Sequence, residues 1–193
     1  MSTRAGLGTI VGSSDIARFV QGGVVKTFRC TTQIKLNSNR PDAQTRFKTD
    51  TATLTVFDPA CVQHRAEDDA DWWSIPDDEC AEINAGNVAF VSLGVDGTYD
   101  CDVFRDSDRC QIPPGALTIN IRTVLGCFYV GAGEYVVADG IGPDTRYGGV
   151  LMSLPAGNWT LAVTSPAAGH LVLRLAPLDT EAANSFDDSP RLS

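Results

Sequence analysis

Short stretches of alternating or continuous apolar residues recur along most of this chain. In residues 51–57 threonines alternate with aliphatic residues, a pattern typical of a β-strand with one buried face. Residues 116–124 repeat it, with Leu117, Ile119 and Ile121 opposed to polar neighbours. Further strands are predicted at 127–130, 135–137, 150–154, 158–164 and 170–175, between turns rich in glycine and proline. This spacing predicts a mainly β fold, an antiparallel β-sandwich or a barrel-like sheet.

One connection carries a specific turn pattern. Residues 94–97 read Gly-Val-Asp-Gly and separate two apolar stretches, 88–93 and 98–104. An Asp-Gly pair between two such stretches is typical of a β-hairpin. We therefore expect these two strands to pair with each other.

One or two short helices are predicted before that hairpin. Ser74 is in the position of an N-cap, Pro76 follows in the first turn, and the acids from Asp77 onward complement the helix dipole. Gly86 is the expected end of this helix. Residues 60–66 are long enough for one or two further helical turns.

The chain has 193 residues and a net charge of −9, but this charge is unevenly distributed. Residues 1–48 hold eight of the fifteen basic residues and two acids, whereas 49–193 hold seven arginines and 22 acids. A polar stretch at 37–44 has the composition of a loop. We therefore expect a basic, poorly ordered N-terminal extension over 1–48, an acidic β-sandwich domain over 49–178 and a frayed polar tail over 179–193.

The charge and composition exclude several classes of function. A body this acidic repels nucleic acid, and it attracts a basic protein surface or a hard cation instead. No apolar run approaches the roughly 18 residues that a membrane span requires. Six cysteines occur without a C-x-x-C pair, so we expect them to be mostly reduced and the protein to be cytoplasmic.

The most informative feature of the sequence is a long segment rich in acidic residues, which we call the acidic run. Eleven acids and no lysine or arginine occur between residues 66 and 104. One interpretation is a solvated surface that maintains solubility. The other is a recognition face for a basic protein, with Trp72 and Trp73 as aromatic anchors unless they fill the core instead. The partner-binding residues predicted from the second interpretation are Asp68, Asp69, Asp71, Trp72, Trp73, Asp77, Asp78 and Glu82.

Candidate metal ligands and catalytic groups are sparse by comparison. The carboxylates of Asp96, Asp100 and Asp102, with Asp106 and Asp108 beyond them, offer oxygen ligands to calcium, but the EF-hand pattern is absent. We therefore predict no metal and no cofactor.

Catalytic patterns are equally weak. His64 follows Cys61 by three residues, a spacing that permits a nucleophile and its base, although a cysteine beside an apolar strand is more often a buried apolar residue. The glycines at 131 and 133 do not form a dinucleotide fingerprint and predict a tight turn or bulge carrying Glu134. We expect a protein that is not an enzyme.

Several short motifs carry a resemblance to a known group of proteins. They are Asp-Trp-Trp (71–73), Ile-Pro-Asp-Asp (75–78), Asn-Ala-Gly-Asn (84–87), Asp-Gly-x-Tyr (96–99), Tyr-Val-Gly-Ala-Gly-Glu (129–134) and Leu-Pro-Ala-Gly-Asn-Trp (154–159). In this order they resemble an uncharacterised group of small acidic bacterial β proteins. Some proteins of this general type are similar to immunity proteins that are paired with secreted toxins. The resemblance implies a binding role and assigns no catalytic residue.

These observations favour a non-enzymatic protein-binding module, in its most concrete form an immunity-type inhibitor that covers the basic active site of a bacterial toxin. The alternative is a calcium- or carbohydrate-binding β-sandwich that uses the carboxylates of 96–108 and an aromatic residue such as Trp159. A hydrolase whose activity depends on His64 is a third hypothesis.

Overall fold

The computed structural model describes residues 40–106, 112–138 and 143–192, together with the backbone of two N-terminal strands. These strands, β1 (Asp15–Gln21) and β2 (Val24–Cys30), pair antiparallel as a two-stranded sheet. The rest of the N-terminal extension, which we expected to be poorly ordered, lies outside the described residues, as does Asp108.

The other secondary-structure elements follow from Ala43 onward. In chain order the strands are β3 (Ala43–Thr49), β4 (Thr53–Phe57), β5 (Val88–Ser92), β6 (Gly97–Arg105), β7 (Leu117–Thr123), β8 (Cys127–Ala132), β9 (Val150–Ser153), β10 (Gly157–Ala167) and β11 (His170–Leu178). An α-helix, α1 (Pro76–Asn84), lies between β4 and β5. Single 3-10 turns occur at Gln63–Arg65, Trp72–Ser74, Gly133–Tyr135 and Thr145–Tyr147.

Strands β3 to β11 form two sheets in a sandwich-like arrangement. The five-stranded sheet has the order β3-β6-β11-β10-β7, and the four-stranded sheet has the order β5-β4-β8-β9. The strand pairs within both sheets are antiparallel except β6 with β11, which is parallel. The predicted mainly β sandwich is confirmed.

The five-stranded sheet buries one face in the core. Along β11, Leu171, Leu173 and Leu175 are fully buried and alternate with the partly exposed Val172 and Arg174. This alternation is the period-two pattern of a strand whose other face is partly open to solvent. The neighbouring strands contribute Val103, Ile119, Ile121, Leu161 and Val163 to the same core.

The four-stranded sheet is buried on both faces. In β4 the side chains of both Thr55 and Val56 are fully buried, although they point to opposite faces of the sheet. Thr55 is paired with Phe90 in β5, and Phe90 packs against Trp72 and Trp73. The alternation in β4 therefore does not mark a solvent-exposed face, because the segment between β4 and β5 covers it.

The predicted hairpin between the strands flanking residues 94–97 is wrong. β5 pairs with β4 in one sheet, whereas β6 pairs with β3 and β11 in the other. The turn does form, with Gly94 and Gly97 at positive φ and the Tyr99 hydroxyl donating to the Val95 carbonyl. This turn carries the chain from the four-stranded sheet to the five-stranded sheet. β5 and β6 do not pair with each other, because each forms its hydrogen bonds with strands that are more distant in sequence.

The strand predicted at 135–137 is also wrong. The chain makes a 3-10 turn at Gly133–Tyr135 and continues as a bend through Val137. Glu134 lies on this turn, which confirms the prediction of a tight turn carrying that residue.

The five-stranded sheet begins before the expected boundary at residue 49. β3 pairs with β6 over its full length, from Ala43 opposite Val103 to Thr49 opposite Gly97. Phe47 is buried and stacks on Tyr99 at 5.8 Å between ring centroids. Seven residues that we assigned to the extension and its boundary are therefore part of the sheet.

The C-terminal segment after β11 is not frayed. Ser92 at the end of β5 donates its backbone N–H to Pro190 and accepts from Leu192. The Asn184 side-chain amide donates to the carbonyls of Ile83 and Asn120, and thereby joins α1 to β7. Specific hydrogen bonds hold this polar segment in place, and composition does not reveal them.

Helix α1 ends where the sequence predicts but begins one residue later. Its N-cap is Ile75, which makes no side-chain cap hydrogen bond, whereas the Ser74 hydroxyl donates to the Asp71 carbonyl. At the other end Gly86 has φ +69°, and its N–H donates to Ile83 while that of Asn87 donates to Glu82. These two bonds form a Schellman motif.

Asp58, directly after β4, fixes the turn between β7 and β8. Its side chain is fully buried, and its Oδ2 accepts from the Thr123 hydroxyl at 2.6 Å and from the N–H groups of Val124 and Leu125 at 2.8 and 2.7 Å. Its Oδ1 accepts from Ala60 N at 2.9 Å. One carboxylate thus satisfies three backbone donors and a hydroxyl, and it joins its own turn to the distant segment 123–125.

We predict that Asp58→Ala lowers the free energy of unfolding by about 3 kcal/mol, because it leaves several donors without partners in the interior. Urea unfolding of both proteins measures the difference. Asp96→Ala, at an exposed turn, is the matched control and is expected to change stability by less than about 0.5 kcal/mol. A loss at Asp58 no larger than that of the control contradicts this role.

Candidate functional site

The predicted recognition segment is organised around Arg65, the basic residue just before the acidic run. Its guanidinium contacts Asp68 at 3.0 Å, Asp78 at 2.9 Å and Glu82 at 2.9 Å. It also lies over the ring of Trp72, 5.0 Å from the centroid. Burial opposes its positive charge, but the three hydrogen bonds outweigh burial and raise the pKa of Arg65. Arg65 therefore joins the loop, the helix and a core aromatic residue.

The two tryptophans lie beneath this network and not on the surface. Trp72 is 2% exposed and Trp73 is 8% exposed. The Trp72 indole N–H donates to the Val137 carbonyl at 2.9 Å, and Trp73 stacks on Phe90 at 5.8 Å. Both rings pack against Phe90 of the four-stranded sheet and belong to the core. Neither can serve as an exposed anchor for a partner.

Glu82 connects the Arg65 network to β7. Its Oε1 lies 2.7 Å from His64 Nε2, and its Oε2 accepts from the Asn87 side-chain amide at 2.6 Å. Asn87 in turn accepts from the Arg122 guanidinium. Burial alone would raise the pKa of the Glu82 carboxyl, but the hydrogen bonds from Asn87, His64 and Arg65 together lower it. Glu82 is a buried structural carboxylate.

Several carboxylates of the same segment are exposed to solvent and lie outside this buried network. Asp69, Asp71 and Asp77 are exposed, and they form no ion pair with any residue that the structure describes. Two more exposed carboxylates, Asp187 and Asp188, reach the same helix from the C-terminal segment, where Ser189 donates a short hydrogen bond to Glu79. We call Glu67, Asp69, Asp71, Asp77, Asp187 and Asp188 the acidic face.

Carboxylates of α1 and of the C-terminal segment lie close enough to Cys80 to affect its pKa. Burial and the negative charges of Glu79, Asp188 and Asp77 raise the pKa of this thiol. The C-terminal segment and α1 therefore present their carboxylates to the same region. Ile75, between the tryptophans and α1, is 47% exposed and is the large apolar side chain of this segment that faces solvent.

The predicted partner-binding residues thus fall into three groups. Asp69, Asp71 and Asp77 are exposed and available. Asp68 and Asp78 are partly exposed but are paired with Arg65. The remaining three, Trp72, Trp73 and Glu82, are buried.

The functional residues predicted from the sequence do not include Arg65, Ile75 or the C-terminal acids. Arg65 was detectable as the basic residue that immediately precedes the acidic run, three residues before Asp68, with which it pairs. The approach of Asp187 and Asp188 to α1 depends on long-range contacts and has no local signal.

The three candidate metal ligands are engaged elsewhere or isolated. Asp100 forms a bidentate pair with Arg46, and Asp102 accepts from Gln44 and contacts His170. Asp96 is on the turn before β6. Among the residues described, no three metal-ligating side chains come together.

Trp159, the aromatic residue considered for binding a sugar, is buried, and its indole N–H donates to the Pro155 carbonyl.

Cys61 and His64 are each bonded to other groups. The Cys61 thiol donates to the Arg122 carbonyl at 3.4 Å, and burial raises its pKa to about 11. His64 contacts Glu82 instead. A thiol with so high a pKa is a poor nucleophile at neutral pH.

The cysteines that the structure describes are in mixed redox states. Cys61, Cys80 and Cys101 are free thiols, whereas Cys127 is disulfide-bonded.

The described helices include none that is long and apolar enough to span a membrane.

We predict that Arg65→Met lowers the free energy of unfolding by about 3 kcal/mol, because removal of the guanidinium leaves the buried Glu82 without its cation. Arg146→Met, at an exposed pair with Asp144, is the control and is expected to cost less than about 0.5 kcal/mol. Chemical denaturation of both variants measures the difference, and equal losses would be evidence against the network.

The lowered pKa of Glu82 predicts a pH dependence of stability. Ionised Glu82 stabilises the fold above its ordinary pKa of 4.5, and this stabilisation disappears as the pH falls through the lowered pKa. Wild type is therefore expected to exceed Glu82→Gln in unfolding free energy at neutral pH and to lose that advantage in acid. Unfolding curves over this range measure it, and an advantage that grows on acidification would reverse the assigned sign.

Comparison with known proteins identifies a family but assigns no activity. No curated protein matches the chain. A solved structure titled Crocagin biosynthetic gene J superposes with a TM-score of 0.49 and 10% sequence identity, over 70% of this chain and 96% of that chain. Residues 42–192 match the model of a family of unknown function, which confirms the expected membership of an uncharacterised group. The chain belongs to the family of unknown function DUF6386.

Proposed function

We propose that this protein is a non-enzymatic protein-binding module that recognises a basic partner through the acidic face. The observation that carries the proposal is the set of exposed carboxylates around α1 that form no ion pair with a described residue, because Arg65 pairs with Asp68, Asp78 and Glu82 instead. Charge of one sign on one surface raises the association rate with an oppositely charged protein.

The proposal differs from the sequence-based hypothesis in its apolar anchor. Trp72 and Trp73 support the surface from below, and Ile75 supplies the exposed apolar contact. In an interface with a charged rim and an apolar centre, electrostatic attraction accelerates association. Burial of the apolar side chain then slows dissociation.

The concrete form of the proposal is an immunity-type inhibitor that covers the basic active site of a bacterial toxin in the cytoplasm. Two features favour it: the acidic face and the resemblance of the sequence motifs to immunity-like proteins. The inhibitor requires charge complementarity and a firmly held surface, and it requires no catalytic residue.

The proposal is tested by capture of a partner and measurement of its binding rates. The immobilised chain is expected to retain a basic protein from a lysate of its source organism, more strongly at low salt than at high salt. The triple variant Asp69→Lys, Asp71→Lys, Asp77→Lys is expected to reduce the association rate constant at low salt by about tenfold or more. Ile75→Ala is expected to raise the dissociation rate constant instead.

Asp96→Lys is the control for a single one of these charge reversals, because it makes the same Asp→Lys change as Asp77→Lys at a turn outside the acidic face. It is expected to leave the association rate within about twofold of wild type. Retention of no basic protein, or an equal effect of Asp96→Lys and the triple variant, would contradict the proposal.

A further inference from the structure

A cleft lies between an edge of the five-stranded sheet and the C-terminal segment. Its volume is about 360 Å³, and it is lined by residues 115–117 at the start of β7, 163–165 in β10 and 191–192. Residues 190–192 follow the edge of β5, where Arg191 forms a parallel bridge with Ser92. The cleft is therefore bordered by both sheets of the sandwich.

The cleft is open because β10 is longer than β7. The pairing of these strands ends where Leu117 lies opposite Val163, whereas β10 continues to Ala167. Gly115, just before β7, has φ +78°, a left-handed conformation that favours glycine. A Cβ atom added to Gly115 would meet no atom within 4 Å. The turn before β7 thus leaves accessible space beside residues 164–165.

The apolar part of the lining is continuous with the core. Val163 is fully buried in the core, and Leu117 and Leu192 are partly buried and pack against it. An aliphatic chain in the cleft would remove the exposed parts of these side chains from water. Each methylene group that is buried in this way favours binding.

The two hydroxyl groups of the lining are already used as donors. The Thr164 hydroxyl donates to the Val172 carbonyl. The Ser165 hydroxyl donates to the carbonyls of Ala167 and His170. Since a hydroxyl has one proton to donate, both side chains can only accept a hydrogen bond from a ligand.

Arg191 supplies the charge of the cleft. It is exposed, and its side chain forms no ion pair or hydrogen bond with any residue that the structure describes. By contrast, Arg65, Arg146 and Arg174 all pair with carboxylates. The described residues of the lining include no acid. The Arg191 guanidinium is therefore available to an anion from outside the protein.

We propose that this cleft binds a small aliphatic carboxylate, with the carboxylate on the Arg191 guanidinium and the alkyl chain on the apolar lining. A carboxylate accepts two parallel hydrogen bonds from a guanidinium, a geometry that a neutral polar group does not match. The volume of about 360 Å³ is at the lower end of the range for small-molecule sites, roughly 300–1,000 Å³. The occupant is therefore a free small molecule. The site does not depend on the function proposed for the acidic face.

Calorimetry on the full chain with sodium octanoate tests the site. Octanoate is expected to bind with one-to-one stoichiometry, and octanamide, its uncharged counterpart, is expected to bind about tenfold more weakly. Hexanoate is also expected to bind about tenfold more weakly than octanoate, because it buries two fewer methylene groups. No binding of octanoate, or equal affinity for octanoate and octanamide, overturns the proposal.

Acetyl-leucine forms a second arm, since it presents its carboxylate as the C-terminus of a peptide does. It is expected to bind more weakly than octanoate, because its apolar side chain is shorter. Tighter binding of acetyl-leucine would assign the cleft to a peptide and would overturn the proposal of a free aliphatic acid.

Three variants locate the binding. Arg191→Gln is expected to lower octanoate affinity about tenfold and to remove the preference over octanamide. Its melting temperature is expected to match that of wild type, because the Arg191 side chain forms no bond with the described protein. Ala116→Phe, which places a ring in the cleft, is expected to abolish binding of both ligands.

Arg105→Gln is the control, because it removes the same charge from β6, outside the cleft. This variant is expected to bind octanoate with wild-type affinity. Undiminished octanoate affinity in Arg191→Gln would contradict the site, whether or not the acidic face binds a protein.

Discussion

The acidic side of this molecule depends on one guanidinium group. Arg65 pairs with Asp68 from the loop and with Asp78 and Glu82 from α1, and it lies over Trp72. Without it, the buried Glu82 carboxylate would lose its guanidinium partner in a medium of low polarity, which is a costly arrangement. Trp72 in turn packs on Phe90 of β5. Arg65 therefore also joins the loop and the helix to the four-stranded sheet.

This arrangement separates the carboxylates that hold the fold from those that can meet a partner. The inner set, Asp68, Asp78 and Glu82, is paired with Arg65. The outer set, with Asp69, Asp71 and Asp77, is exposed to solvent. A surface supported in this way loses little conformational freedom when it binds, so more of the contact energy is retained as affinity. The exposed Ile75 then provides the apolar contact that charge alone does not supply.

The sequence predicts the mainly β fold, because alternation in strands such as β7 and the helix end at Gly86 are local properties of the chain. It does not predict strand pairing: the Asp-Gly turn at residues 96–97 has the right local chemistry for a hairpin, yet it connects two sheets. Trp72 and Trp73 illustrate the same limit in the site. Their position in an acidic run resembles that of interface anchors, but the face of the sheet they cover is defined only by tertiary packing.

The central claim is that the acidic face is the surface that meets a basic partner. Amide hydrogen exchange of the chain, free and bound to the protein captured from lysate, tests it most directly. Binding is expected to slow amide exchange in residues 67–78 and 186–190 and to leave exchange in the strands of the five-stranded sheet unchanged. Protection confined to the edges of that sheet, with none around α1, would contradict it.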